Sequence, residues 1–162
     1  MNASPRPSTL HSILGYFAWL ALCFGAAIGA VFVSPGGWYA ALAKPSWNPP
    51  SWVFGPAWTV LYIVMATAAW LVWREGGWKA QGRALGLFVV QWLLNALWSP
   101  LFFGLHQIGI AFAEIVVLWI CIALTIKAFW EVKALAGWLM LPYLAWVSFA
   151  SVLNFTIWRM NS

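Results

Sequence analysis

From Ser12 to Val33 the chain runs for 22 residues without a charge, and comparable stretches recur at Pro45–Trp73, Ala84–Ala113 and Leu135–Trp158. About 20 helical residues cross a bilayer's hydrocarbon layer. Inside that layer each backbone N–H and C=O must find a partner within the protein, so an apolar run of this length is forced into a helix. Only 7% of the residues are charged and 64% are hydrophobic, against roughly 25% charged in a soluble domain. The surface of a water-soluble fold could not be covered from that supply. The expected fold class is therefore all-α, a polytopic membrane protein forming one domain over residues 1–162. Its five transmembrane helices are expected at about 12–33, 56–73, 84–103, 108–129 and 135–158.

The few charges punctuate the runs. Arg74, Glu75, Lys79 and Arg83 form one polar turn, and Lys127, Glu131 and Lys133 another. With Arg6, these turns collect six positive residues on one side of a five-span protein, leaving Lys44 and Arg159 on the other. The positive-inside rule then predicts a cytoplasmic N terminus if the host is a bacterial inner membrane, though the sequence does not decide between inner and outer membrane. A net charge of +5 spread singly along the chain suits contact with anionic lipid and excludes nucleic acid as a partner. Cys23 and Cys121 lie in apolar runs, with no metal-ligand spacing around them, and read as packing residues. The first run is longer than the apolar centre of a cleaved leader and is expected to remain as the first helix.

From the end of the first run into the second extends SPGGWYAALAKPSWNPPSWVFGPAWTVLY, Ser34–Tyr62, with five prolines and a single charge, Lys44. Proline lacks a donor and restricts the residue before it, so no regular helix is expected before Pro56, which fits a first helical turn. The stretch reads as a long structured first loop packed over a ligand cavity.

Several faces are marked by helical spacing. Gly15, Ala18, Ala21, Gly25 and Gly29 predict a close-packing face on the first helix. Trp58, Tyr62, Met65, Ala69 and Trp73 share a face of the second helix. On the third, Gln91, Asn95 and Ser99 recur every four residues beside Trp98, and amides in hydrocarbon must face protein or a cavity. Tyr143, Trp146, Ala150, Leu153 and Asn154 lie along the fifth, where Pro142 is expected to distort the helix without ending it. Glu114 is the one acid within a run, near the start of the fourth helix. Gly82 and Gly86 offer a small-residue pair suited to a second subunit.

Fifteen tryptophans exceed what membrane anchoring requires. Trp19, Trp38, Trp73, Trp78, Trp130 and Trp158 sit near predicted helix ends and read as interfacial belts. Trp58, Trp98 and Trp146 accompany the polar and small-residue faces instead, where flat indoles could stack on a planar macrocycle while Asn95 orients a polar group. The chain carries no serine–histidine–acid set, phosphate loop or metal-ligand cluster, so an enzymatic role is expected only as photochemistry.

WYAALAKPSWNPPSWVFGPAWTVLY (Trp38–Tyr62), QWLLNALWSPLFFG (Gln91–Gly104) and PYLAWVSFASVLNFTIWRMN (Pro142–Asn161) closely resemble the tryptophan-rich sensory protein family, whose mitochondrial members are called translocator protein or peripheral benzodiazepine receptor. The resemblance covers nearly the whole chain. It implies a five-helix protein, commonly a homodimer, acting as a membrane receptor or sensor with a regulatory or stress-related role. The implied ligand is a porphyrin such as protoporphyrin IX or haem, with sterols and benzodiazepine-type compounds for some members. No cofactor is required. Alternatives are a light-dependent porphyrin-degrading enzyme, with Trp58 and Trp146 as photochemical residues, and a porphyrin or sterol transporter. The resemblance carries ligand contacts onto Trp58, Asn95, Trp146, Ala150, Leu153 and Asn154, and loop aromatics onto Trp38 and Tyr39; the face analysis adds Tyr62 and Trp98. Phe155 stands where the animal sterol pattern has tyrosine, with Arg159 downstream, and Ile110 where mammalian members have a ligand-contacting tryptophan.

Overall fold

The computed structural model describes residues 8–31 and 36–162, with side chains of 29–31 excepted. Five helices long and apolar enough to cross a membrane occupy most of them. These are α1 (Thr9–Val31), α3 (Phe54–Trp73), α4 (Gly77–Ser99), α5 (Ile108–Val132) and α6 (Ala134–Met160), with a short α2 (Gly36–Ala41) between the first two. No strand occurs among the described residues. In the bundle α4, α5 and α6 pack in sequence, α3 closes against α6 and α4, and α1 lies across α3 and α4.

Helix starts differ from the sequence expectation where local chemistry intervenes. α2 and a 3-10 turn at Ser51–Val53 precede the helix that contains Pro56, although no regular helix was expected there. Lys44 explains α2: its ammonium donates to the carbonyl oxygens of Tyr39, Ala40 and Leu42 at 2.6, 3.1 and 2.9 Å and lies 4.8 Å from the Tyr39 ring centre. It thus caps carbonyls that a helix this short leaves unpaired. α4 begins at Gly77, ahead of the expected start at 84, but kinks at Gln81 (φ −114°, ψ 21°). The Gln81 side-chain amide donates to the Glu75 carbonyl at 2.9 Å, drawing the first turn back over the α3–α4 connection. Gly76 and Gly77, at φ 110° and 65°, make that connection in a backbone region open to glycine.

The close-packing face of α1 is realised at Gly15, where an added Cβ would lie 2.5 Å from the Trp73 ring. Gly29 falls outside the described side chains. Trp19 is a correction to the interfacial assignment: it is 6% exposed, stacked on Trp78 at 6.1 Å and edge-on to Phe88 at 5.6 Å. Its place near mid-helix brings it against α4 rather than the headgroups. α6 continues unbroken through Pro142. At one end of the bundle Lys133 pairs with Glu75 at 3.0 Å, tying the two charged turns together. α2, the 42–53 segment, the α4–α5 connection and the C terminus occupy the opposite end.

Candidate functional site

A cavity of about 730 Å³ opens within that second end, lined by all five long helices and the segment from Tyr39 to Ser51. Its walls are mainly apolar. α3 contributes Trp58, Thr59 and Tyr62; α4 contributes Asn95, Trp98 and Ser99; α6 contributes Trp146, Ala150, Leu153 and Asn154. The faces read from helical spacing therefore converge on one space, because antiparallel helices of similar length bring those turns to the same depth.

Aromatic geometry sets the shape of the walls. The Trp58 ring lies 5.2 Å from Tyr62 and 6.4 Å from Trp146, almost perpendicular to the latter at 80°. Trp146 continues to Phe54 at 5.9 Å and to Phe149 at 5.8 Å. Across the cavity Trp98 stacks on Phe102 at 5.0 Å, and its indole N–H donates to Asn154 Oδ1 at 3.0 Å. Asn154 Nδ2 then donates to the Ile108 carbonyl at 3.0 Å, so this amide joins α4, α5 and α6. Asn95 also lines the cavity, with the Tyr143 hydroxyl beside it.

Nine of the ten residues expected from sequence line this space: Tyr39, Trp58, Tyr62, Asn95, Trp98, Trp146, Ala150, Leu153 and Asn154. Trp38 does not. Its ring stacks on His106 at 4.0 Å and meets Phe102 edge-on at 5.9 Å, behind the wall. His106 reaches that position from a left-handed backbone, φ 57°. Periodicity missed the contributions of Phe24, Ala26 and Ala27 from α1 and of Ile115 and Leu118 from α5. These belong to uniformly apolar faces that carry no polar marker.

The 36–53 segment lies beside the cavity, braced by one hydrogen bond within itself and tied through Ala43 to the end of α6. The Tyr39 hydroxyl donates to Asn48 Oδ1 at 3.2 Å. Burial raises the Tyr39 pKa above its ordinary value. Near the C terminus, Asn161 accepts from the Ala43 N–H at 3.0 Å and donates to the Ala43 carbonyl at 2.9 Å. A single side chain thereby holds both backbone groups of a residue 118 positions away. Among the described residues no group of three or more His, Cys, Asp and Glu could hold a metal.

Residues 12–159 match the model of the TspO/MBR family. The chain is 46% identical over 151 residues to the tryptophan-rich protein TspO of Chlorobaculum tepidum, covering 88% of this chain and 95% of that protein. It is 43% identical over 146 residues to the translocator protein of Homo sapiens, covering 88% and 86% of the two chains. With the tryptophan-rich sensory protein of Cereibacter sphaeroides it shares 40% identity over 146 residues, 90% of each chain.

Proposed function

Because the chain belongs to the TspO/MBR family, we propose that it is an integral membrane receptor that holds a porphyrin, protoporphyrin IX or haem, in the bundle cavity and serves a regulatory or stress-related role. The observation that carries this reading is the convergence of Trp58, Trp98, Trp146 and Asn95 on one apolar space of about 730 Å³. That volume lies within the range of about 300–1,000 Å³ that suits small-molecule sites. Indole faces offer stacking area to a flat macrocycle, and burial of about 300 Å² of apolar ligand surface contributes on the order of 7 kcal/mol before the costs of association. Asn95 supplies the polar contact that fixes the pose.

The 36–53 segment acts in this reading as a structured first loop that covers the ligand. The protein works as a homodimer, and the Gly82–Gly86 face of α4 is suited to the contact: a Cβ added at either position meets nothing within 4 Å. Sterols are disfavoured, because Phe155, 44% exposed on α6, offers no hydroxyl.

The test is anaerobic titration of porphyrin in the dark into the protein in lipid nanodiscs. Saturable quenching of porphyrin fluorescence that weakens in Trp58→Phe, Trp146→Phe and Asn95→Ala supports the reading. Quenching no greater than in empty nanodiscs, or equal in all four proteins, refutes it.

A second reading rests on the Trp58–Trp146 pair, 6.4 Å apart in the cavity wall. An excited porphyrin held against these rings would activate dioxygen, and addition of both oxygen atoms across one bond of the macrocycle would open it with no net electron drawn from Trp58 or Trp146. Illumination with and without oxygen separates the two: porphyrin loss must be faster with protein than free, and must slow in Trp58→Phe.

A further inference from the structure

A second cavity, of about 810 Å³, lies on the outer side of the bundle between α3 and α6. On α3 its wall is Pro56, Ala57 and Val60; on α6 it is Pro142 and Ala145. These positions are spaced three or four residues apart along each helix, so each set shares one face. Alanine on both walls leaves a gap that neither helix fills. Pro49 and Trp52 close one end. Val60 is 58% exposed and Trp52 74%, which makes the space an open groove.

Trp146 and Phe149 line this groove and the aromatic chamber alike, so the partition between the two spaces is one side chain thick. Within the chamber Trp146 meets Trp58 at 6.4 Å and Phe54 at 5.9 Å. The rest of its surface borders the groove.

Every described residue of the groove is apolar, and three are prolines, whose backbone offers no N–H. A polar or charged occupant would find no partner there. α3 and α6 are both long and apolar enough to cross a membrane, so the groove faces hydrocarbon. From Pro142 to Phe149 it follows α6 for about 10 Å, against a leaflet of about 15 Å. An acyl chain of one leaflet runs along such a groove and can occupy its length. Lipid tails are as apolar as leucine, so the gain is dispersion contact in a slot that the protein leaves unfilled. Proline rings fix the backbone of its walls and hold it open. The competing occupant is a second copy of the chain. A stable interface takes about 20–30 residues a side, whereas eleven described residues line the groove.

We propose that the α3–α6 groove is a site for one acyl chain of a membrane glycerolipid, seated against Trp146 and Phe149 from outside the bundle. The lipid then completes the chamber wall, because the two rings that face the chamber are backed by hydrocarbon from the bilayer. Trp52, at the end of the groove, is an indole of the kind that settles at headgroup depth, where the lipid's ester region would lie. The site needs no porphyrin, so it is tested with the chamber empty and holds or fails apart from the receptor reading.

The test places the full chain in nanodiscs of phosphatidylcholine that carries a diazirine midway along one acyl chain, activates it with light and maps the adducts by mass spectrometry. Adducts at Val60 and Ala145 are expected to exceed several-fold those at Val117 and Ile120 on α5, which are 50% and 49% exposed and lie outside the groove. Ala145→Phe puts a ring into the groove from an exposed position and should reduce the Val60 adduct several-fold. Should Ala145→Phe not fold, Ala57→Leu fills the groove from the opposite wall and must do the same. Equal yields in the groove and on α5 overturn the proposal, as does a Val60 adduct unchanged when the groove is filled. In a background without Cys23 and Cys121, disulfide-linked pairs of Val60→Cys formed on oxidation in the same nanodiscs would assign the groove to a second copy and equally overturn it.

Discussion

Asn95 and Asn154 carry the same amide and line the same cavity, but their partners separate them. Both polar atoms of Asn154 are engaged, one by the Trp98 indole and one by the Ile108 carbonyl. Asn154→Leu leaves a buried indole N–H and a carbonyl without partners, and we expect a loss of about 1–2 kcal/mol in stability. Thermal unfolding in detergent, followed by aromatic circular dichroism, should show the midpoint fall in the absence of any ligand. Asn95 has only the Tyr143 hydroxyl beside it, so Asn95→Ala should lower that midpoint by less than Asn154→Leu does. Porphyrin affinity should instead fall about 5- to 10-fold, the equivalent of one hydrogen bond of about 1 kcal/mol. Reversal of the two phenotypes would exchange the roles assigned to the two amides. Sequence made both visible as polar groups on helix faces. It could not tell them apart, because the distinction lies in whether a neighbouring helix presents a donor or an acceptor at that depth.

At the scale of elements, Gly15 and Asn161 show two ways in which the helices are held in register. Gly15→Val would place a Cβ 2.5 Å from the Trp73 ring, far inside van der Waals contact. Overpacking of this kind costs about 1–3 kcal/mol, and the expected result is a lowered thermal midpoint that Gly15→Val/Trp73→Leu recovers in part. Asn161 fastens the segment beside the cavity to the end of α6 through both hydrogen bonds to Ala43. Asn161→Ala removes a partly solvated clasp worth about 1 kcal/mol, so porphyrin dissociation, measured by stopped-flow exchange, should accelerate about 5-fold with little change in the association rate. An unchanged off-rate would show that the segment does not control exit.

The long helices behind these contacts were legible from uncharged length alone, since a bilayer leaves no other structure available to such runs. Faces marked by an amide or by alternating small and aromatic residues, as at Gln91–Asn95–Ser99, were legible too. α2 was not: six residues among glycines and prolines have no periodicity to read, and the Lys44 cap that sustains them is a tertiary arrangement. Nor was the depth of Trp19, since a tryptophan facing headgroups and one facing a neighbouring helix look alike in one dimension.

Taken whole, the molecule is polarised along its axis. Arg74 and Lys133 lie in the two connections joined by the Lys133–Glu75 pair, and Lys79, Arg83 and Lys127 lie in the helix turns next to them. The cavity and the 36–53 segment lie at the other end, where Lys44 and Arg159 are found. Lys44 is occupied there in capping α2. Translocation of positive turns is resisted during insertion, so in an inner membrane the charged end should remain cytoplasmic and the cavity should open toward the exported side. A ligand would then arrive from outside the cytoplasm or from the outer half of the bilayer, and a sensor of this form would report on what accumulates there. The orientation can be read from single cysteines at Lys79 and Ser46 in a background where Cys23 and Cys121 are replaced. An impermeant maleimide applied to intact spheroplasts should label Ser46→Cys and spare Lys79→Cys, with both labelled after lysis. Labelling of Lys79→Cys in intact spheroplasts would place the charged connections outside, contrary to the positive-inside expectation, and would make the cytoplasm the source of any guest.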